Sequence, residues 1–229
     1  MNYALAISLS LLLAGCAHNS RFERVEFRAP SQPDAALKPF LEDVDRMGVI
    51  CVTNIEPSRE IDVEKVMALL SNATVRGLSR LPDMTIVPQD EITWKLKDVH
   101  FDSTSVYADS VRAALRDTLS LDAIVFVELR HLQARVMPVM PTAYGMSPSP
   151  SVDMSVDLQV SLLNIHTGQA WKQGGQERNF EPVRLQLMGA NNQGERQLLM
   201  ALGKPMQRFL SRIAPPPRPQ TRHFETDGN

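Results

Sequence analysis

The stretch Ser151–Ile165 alternates almost without fault. Val152, Met154, Val156, Leu158, Val160 and Leu162 fall on one side, and Asp153, Ser155, Asp157, Gln159 and Ser161 on the other. Side chains on a strand point to opposite faces with a period of two, so this pattern specifies a half-buried antiparallel strand. Its polar side must meet water or a partner. His166-Thr167-Gly168 follows as a tight turn, with Gly168 supplying the positive φ such a turn needs. Ala170 to about Arg178 then returns as the neighbouring strand.

Earlier segments supply a different kind of strand. Gly48–Asn54 and Ala123–Leu132 are apolar runs that read as buried strands, and Met84–Val87 is a shorter one ended by Pro88. Between them, apolar residues at 63, 66, 67, 69, 70, 75 and 78 keep helical spacing until Pro82-Asp83 breaks it. Further helices are expected at 89–99, 105–119 and 194–213, with a short one around 37–44. The order is β-α-β-α-α-β-β-β-α. It predicts an α/β (α+β) fold, a mixed sheet of about five strands with helices mainly on one face, in a single domain over 35–213.

The N-terminus carries a separate message. Ala4–Ala14 is a largely apolar run, too short to span a bilayer, which takes about twenty residues, but suited to the core of a signal peptide. It closes on Leu13-Ala14-Gly15-Cys16, which resembles the lipobox of bacterial lipoproteins. That resemblance implies a diacylglyceryl group on the Cys16 sulfur and cleavage of the Gly15–Cys16 bond, so residues 1–15 are a leader. Met1-Asn2-Tyr3 departs from the pattern in having no Lys or Arg. Ala17 stands where an Asp would favour retention at the inner membrane, so the expectation is an outer-membrane, periplasm-facing lipoprotein. Several acyl chains on one cysteine anchor firmly.

Residues 16–34 are polar and aperiodic and read as a tether. About 18 residues reach at most ~60 Å, which favours a role close to the anchoring membrane. Residues 214–229 read as a disordered, Pro-rich tail.

Chemistry is sparse. Lys and Arg total 24 against 26 for Asp and Glu, a balance that does not suggest nucleic-acid binding. The histidines at 18, 100, 131, 166 and 223 are scattered, and no metal-ligand or nucleophile motif is present. No catalytic residue, metal, cofactor or small-molecule substrate is expected. Cys51 lies in the run Val49-Ile50-Cys51-Val52 and reads as a small buried hydrophobe. Asp153 and Asp157 sit about 13 Å apart at strand rise, too far to act as one acid–base pair. Glu128, Arg130 and Arg135 are expected at the wet edge of their strand.

Met137-Pro138-Val139-Met140-Pro141-Thr142-Ala143-Tyr144-Gly145-Met146 joins two strands that two to five residues could have linked. This uncharged, apolar loop is a partner contact through Met137, Val139, Met140, Tyr144 and Met146, or a lid over the domain's own sheet. The segment 180–192, with Arg184, Leu187 and Met188, is a second contact candidate or an ordinary connection.

Several of these segments resemble the fold shared by the N-terminal domain of TolB, LpoB, CsgG and PelC. The carrying residues are Val49–Asn54, Met84–Pro88, Leu121–Glu128 and Leu162–Trp171, the last holding the Thr167-Gly168 turn followed by Trp171. The resemblance implies a non-enzymatic scaffold or assembly factor in an envelope complex for secretion, a surface appendage or polysaccharide export, with envelope proteins or further copies of itself as partners. An LpoB-like activator of a peptidoglycan synthase is the alternative.

Overall fold

The computed structural model describes residues 21–28, 32–56, 61–137, 151–179, 193–217 and 219–226. Two compact units emerge, residues 31–216 and a smaller one made of the two chain ends.

The larger unit is built on a five-stranded mixed sheet. Its strands are β2 (Arg46–Thr53), β3 (Thr85–Val87), β4 (Ala123–Met137), β5 (Ser151–Asn164) and β6 (Ala170–Asn179), in the spatial order β3-β2-β4-β5-β6. The β2 strand runs parallel to β3 and β4, and β4, β5 and β6 are antiparallel neighbours. The helices are α1 (Lys38–Leu41), α2 (Val63–Leu78), α3 (Gln89–Lys95), α4 (Asp109–Leu119) and α5 (Gln193–Ile213). Fold class and element order are as the sequence predicts.

Register assigns the two faces. Met47, Val49 and Cys51 of β2, Val125 and Val127 of β4, and Met154 to Leu162 of β5 pack with α2 and α5 into one core. The apolar side of the alternating strand is therefore the side that meets the two longest helices. On the opposite face Ile50, Ile124, Phe126 and Leu163 meet Ile92 of α3 and Leu115 of α4. That second layer is smaller, and it leaves Ser155, Asp157 and Gln159 part-exposed on the polar side.

Local sequence explains the helix ends. Asp62 caps α2 by accepting from the Lys65 amide at 2.9 Å. Asp83, at φ 59, turns the chain after Pro82. The helix expected over 105–119 is broken, because Ala108 is extended at ψ 140 between a 3-10 turn at Ser105–Tyr107 and α4. Pro205 lies inside α5 and is buried. It packs where Gly175 of β6 lacks a side chain, since a Cβ on Gly175 would come within 2.8 Å of the Pro205 Cβ. Gly168 takes φ 71 in the β5–β6 turn, as expected, and the Asn164 side chain accepts the His166 and Thr167 amides at 3.0 Å.

In the smaller unit, β1 (Arg21–Arg28) pairs antiparallel with β7 (Pro219–Thr226), from Arg21↔Thr226 to Arg28↔Pro219. The sequence reads both segments as irregular. Neither has a clean apolar alternation, and the pairing joins chain positions almost two hundred residues apart, so no local turn signal announces it.

Candidate interaction surfaces

The β4–β5 hairpin is longer than the strands that flank it. The β2 strand stops at the pair Thr53↔Leu129, and β6 stops at Met154↔Asn179. From His131↔Asp157 onward the hairpin has no β2 neighbour, and among the described residues the tip pairs Arg135↔Asp153 to Met137↔Ser151 have no neighbouring strand on either side. Seven residues of β4 thus run about 20 Å beyond the end of β2. The register shift between Leu129 and His131 marks the root of this extension, where a bulge redirects the strand.

The root is held by polar contacts. Glu128 is only 3% exposed. Its carboxylate accepts from the Asn54 amide side chain at 2.8 Å and from Arg130 Nε at 2.9 Å. The expectation that Glu128 lies at a wet edge is therefore corrected. A buried carboxylate survives where donors satisfy it, and Asn54 lies just past the end of the adjacent strand β2. Arg130 itself is exposed, as expected.

Farther along the same sheet face, Tyr107 donates its hydroxyl to Ser161 Oγ at 3.0 Å, and Lys172 Nζ lies 4.2 Å from the Tyr107 ring centroid. Ser161 is fully buried beneath this cover, so the polar side of β5 is closed at one end and open toward the hairpin.

Concavities lie against the helices among the described residues, and two of them stand out. One, of about 290 Å³, lies beside Cys51, Glu64, Asn72 and Asp90. Here β3 ends before Pro88, and the Gln89 side chain continues the ladder in its place. The Cys51 amide donates to Gln89 Oε1 at 2.9 Å, and Gln89 Nε2 donates to the Cys51 carbonyl at 3.0 Å. Burial pushes the Cys51 thiol up to about 12, which fits its reading as an inert core residue. The other, of about 540 Å³, is a groove between α2 and α5. No local sequence pattern marks it, because its walls lie more than a hundred residues apart.

Asp122 ties three elements together. Its carboxylate accepts the Arg46 amide at 2.9 Å, the Asp45 amide at 3.1 Å, and faces His166 Nε2 at 2.9 Å. Burial acts to raise its pKa, but the His166 hydrogen bond and the two amides outweigh burial and hold the carboxyl below its ordinary value. His166 is thus a hydrogen-bonded side chain.

Met137 closes β4 and pairs with Ser151. Cys16, Val139, Met140, Tyr144, Met146, Arg184, Leu187 and Met188 lie outside the described residues. Among the described residues no helix is long and apolar enough to cross a membrane, and no group of three metal-ligating side chains converges.

No family model matches the sequence, and no curated protein matches it. Among solved structures the chain is similar to lipoprotein GNA1162 from Neisseria meningitidis, at 12% identity over 72% of this chain and 96% of that one, with a TM-score of 0.38. It is similar to the LpoB C-terminal domain from Salmonella enterica, at 13% identity over 62% and 93%, with a TM-score of 0.34. It is also similar to the PelC dodecamer from Paraburkholderia phytofirmans, at 9% identity over 85% and 99%, with a TM-score of 0.38. LpoB and PelC are among the proteins whose fold the sequence pattern resembles.

Proposed function

We propose that this protein is a non-enzymatic lipoprotein, anchored through Cys16 to the outer membrane and facing the periplasm, that acts as a scaffold or assembly factor in an envelope complex. The observation that carries the reading is the β4–β5 hairpin. Among the described residues its tip is flanked by no other strand, and it leads directly into the uncharged Met- and Pro-rich segment 138–150. A hairpin tip, Arg135↔Asp153 to Met137↔Ser151, that meets no further strand among the described residues offers backbone hydrogen bonds and adaptable apolar side chains to a partner. The lipobox-like Leu13–Cys16 supports the location, and β1, within the segment expected to be a tether, pairs with β7.

A photo-reactive residue at Ala134, exposed on β4, tests the reading in intact cells. A discrete adduct with an envelope protein or with a second copy of the chain supports it. Absence of any adduct from this arm removes the contact role. An adduct with a peptidoglycan synthase, together with stimulated glycan polymerisation, would replace scaffolding by activation.

A further inference from the structure

The groove between α2 and α5 has a polarity along its length. Leu69, Ala73, Arg76 and Arg80 follow one another at spacings of four, three and four residues, which places them on one stripe of α2 and its C-terminal extension. Leu199, Gly203, Met206 and Leu210 form the matching stripe of α5. One end of the α2 wall is apolar, and about 10 Å further along the helix it becomes basic. A Cβ on Gly203 would meet nothing within 4 Å, so the floor is open there. Leu69 is 45% exposed and Met200, beside the groove, 56%. Among the described residues neither Arg76 nor Arg80 has an ion-pair partner.

Apolar at one end and cationic at the other is the complement of an anionic amphiphile. The chain's own path points to which one. The Asp34 amide donates to the Arg212 carbonyl at 2.7 Å, and Asp34 pairs with the Arg212 guanidinium at 2.8 Å, so the chain enters this unit beside the last turn of α5. It leaves through Ala214 and Pro216, which line the groove at its basic end. Entry at Asp34 and exit at Pro216 thus both lie at the C-terminal end of α5, the end of the groove that Arg80 lines.

We infer that the α2–α5 groove docks on the leaflet that holds the lipid anchor, taking an anionic phospholipid with its acyl chain against Leu69, Ala73 and Met206 and its phosphate at Arg76 and Arg80. This rests on the lipoprotein reading above. Docking adds to anchoring, because two membrane signals hold far more firmly than one. It also fixes which way the domain faces, leaving the opposite sheet face and the hairpin for partners. The attraction of basic residues to an anionic surface falls off within a Debye length, so the contact weakens with salt.

The test uses the full-length acylated protein reconstituted in vesicles of phosphatidylethanolamine with brominated phosphatidylglycerol. A fluorophore is attached at Met200→Cys, or at Trp94→Cys on α3 as control, a position 76% exposed. Cys51 is buried and does not compete for the label. Bromine quenching at position 200, with little at 94, and its loss on Arg76→Glu with Arg80→Glu or in high salt, is the expected result. Equal quenching at both positions, none at 200, or quenching indifferent to charge reversal overturns the inference. So does labelled position 200 meeting an acidic protein segment and no lipid. Intact mass of the same sample separates the two levels. An acylated protein without quenching at 200 defeats the docking alone, whereas a protein without acyl chains defeats the anchor reading and the docking with it.

Discussion

Replacing Asp122 by alanine removes a junction on which three chain segments meet. The carboxylate accepts amides from Asp45 and Arg46 at the start of β2, contacts His166 in the β5–β6 turn, and sits at the start of β4. Hydrogen bonds to an ionised group contribute about 1.5–3 kcal/mol each when shielded, and less when wet. The Arg46 bond is part-buried and the other two are exposed. One bond near full strength and two at a fraction give a loss of roughly 2–4 kcal/mol for Asp122→Ala. Asp122→Asn keeps an oxygen for the two amides and should lose only about 1 kcal/mol. Urea unfolding followed by far-UV circular dichroism measures both, read as a shift in Cm at constant m. The pH dependence supplies a second check. The folded carboxyl titrates below its ordinary value of 3.8, so its stabilisation is complete above that value and is lost as pH falls through the folded one. The gap between wild type and Asp122→Ala should persist above about pH 4 and close as the pH falls further into acid. An alanine variant within about 0.5 kcal/mol of wild type, the range of ordinary surface substitutions, would refute the reasoning. A gap that does not shrink in acid would do the same.

Gly48→Ala should destabilise by about 1–3 kcal/mol through overpacking, because the new Cβ would lie 2.9 Å from both Ile92 Cδ1 and Leu121 Cδ1; a shift in thermal midpoint measures it. Phe209→Ala should cost about 3–5 kcal/mol, since the ring is fully buried and stacks on Trp171 at 6.1 Å, and a variant unfolding at the wild-type urea midpoint would contradict that packing. Cys51 should resist alkylation at pH 8 in the folded chain and react once urea exposes it, because its thiol is pushed up to about 12 by burial; rapid labelling of native protein would show the site to be open.

Legibility followed how local each signal is. The β5 strand was readable because its period of two is carried by consecutive residues, and its apolar set, from Met154 to Leu162, is the set that meets α2 and α5. The β5–β6 turn is readable because Gly168 marks it within the three residues His166-Thr167-Gly168, whereas the Asn164 side chain that accepts the His166 and Thr167 amides carries no such mark. Glu128 was misplaced because its burial depends on Asn54, a donor 74 residues away that no periodicity reveals. The length of β4 was underestimated because residues 133–137 mix charged and apolar types, and their pairing comes from β5. The break at Ala108 left no mark in a sequence that otherwise continues a helical pattern. The β1–β7 ribbon and the α2–α5 groove both join distant parts of the chain, so each needed the fold before it could be seen.

The claim that organises the functional account is the attachment of this domain to a membrane through one cysteine. Mass spectrometry of the protein isolated from its own envelope fraction tests it most directly. Attachment through Cys16 predicts a mature chain beginning at that residue and carrying diacylglycerol on sulfur. A chain that still holds residues 1–15, with an unmodified thiol at Cys16, would contradict it.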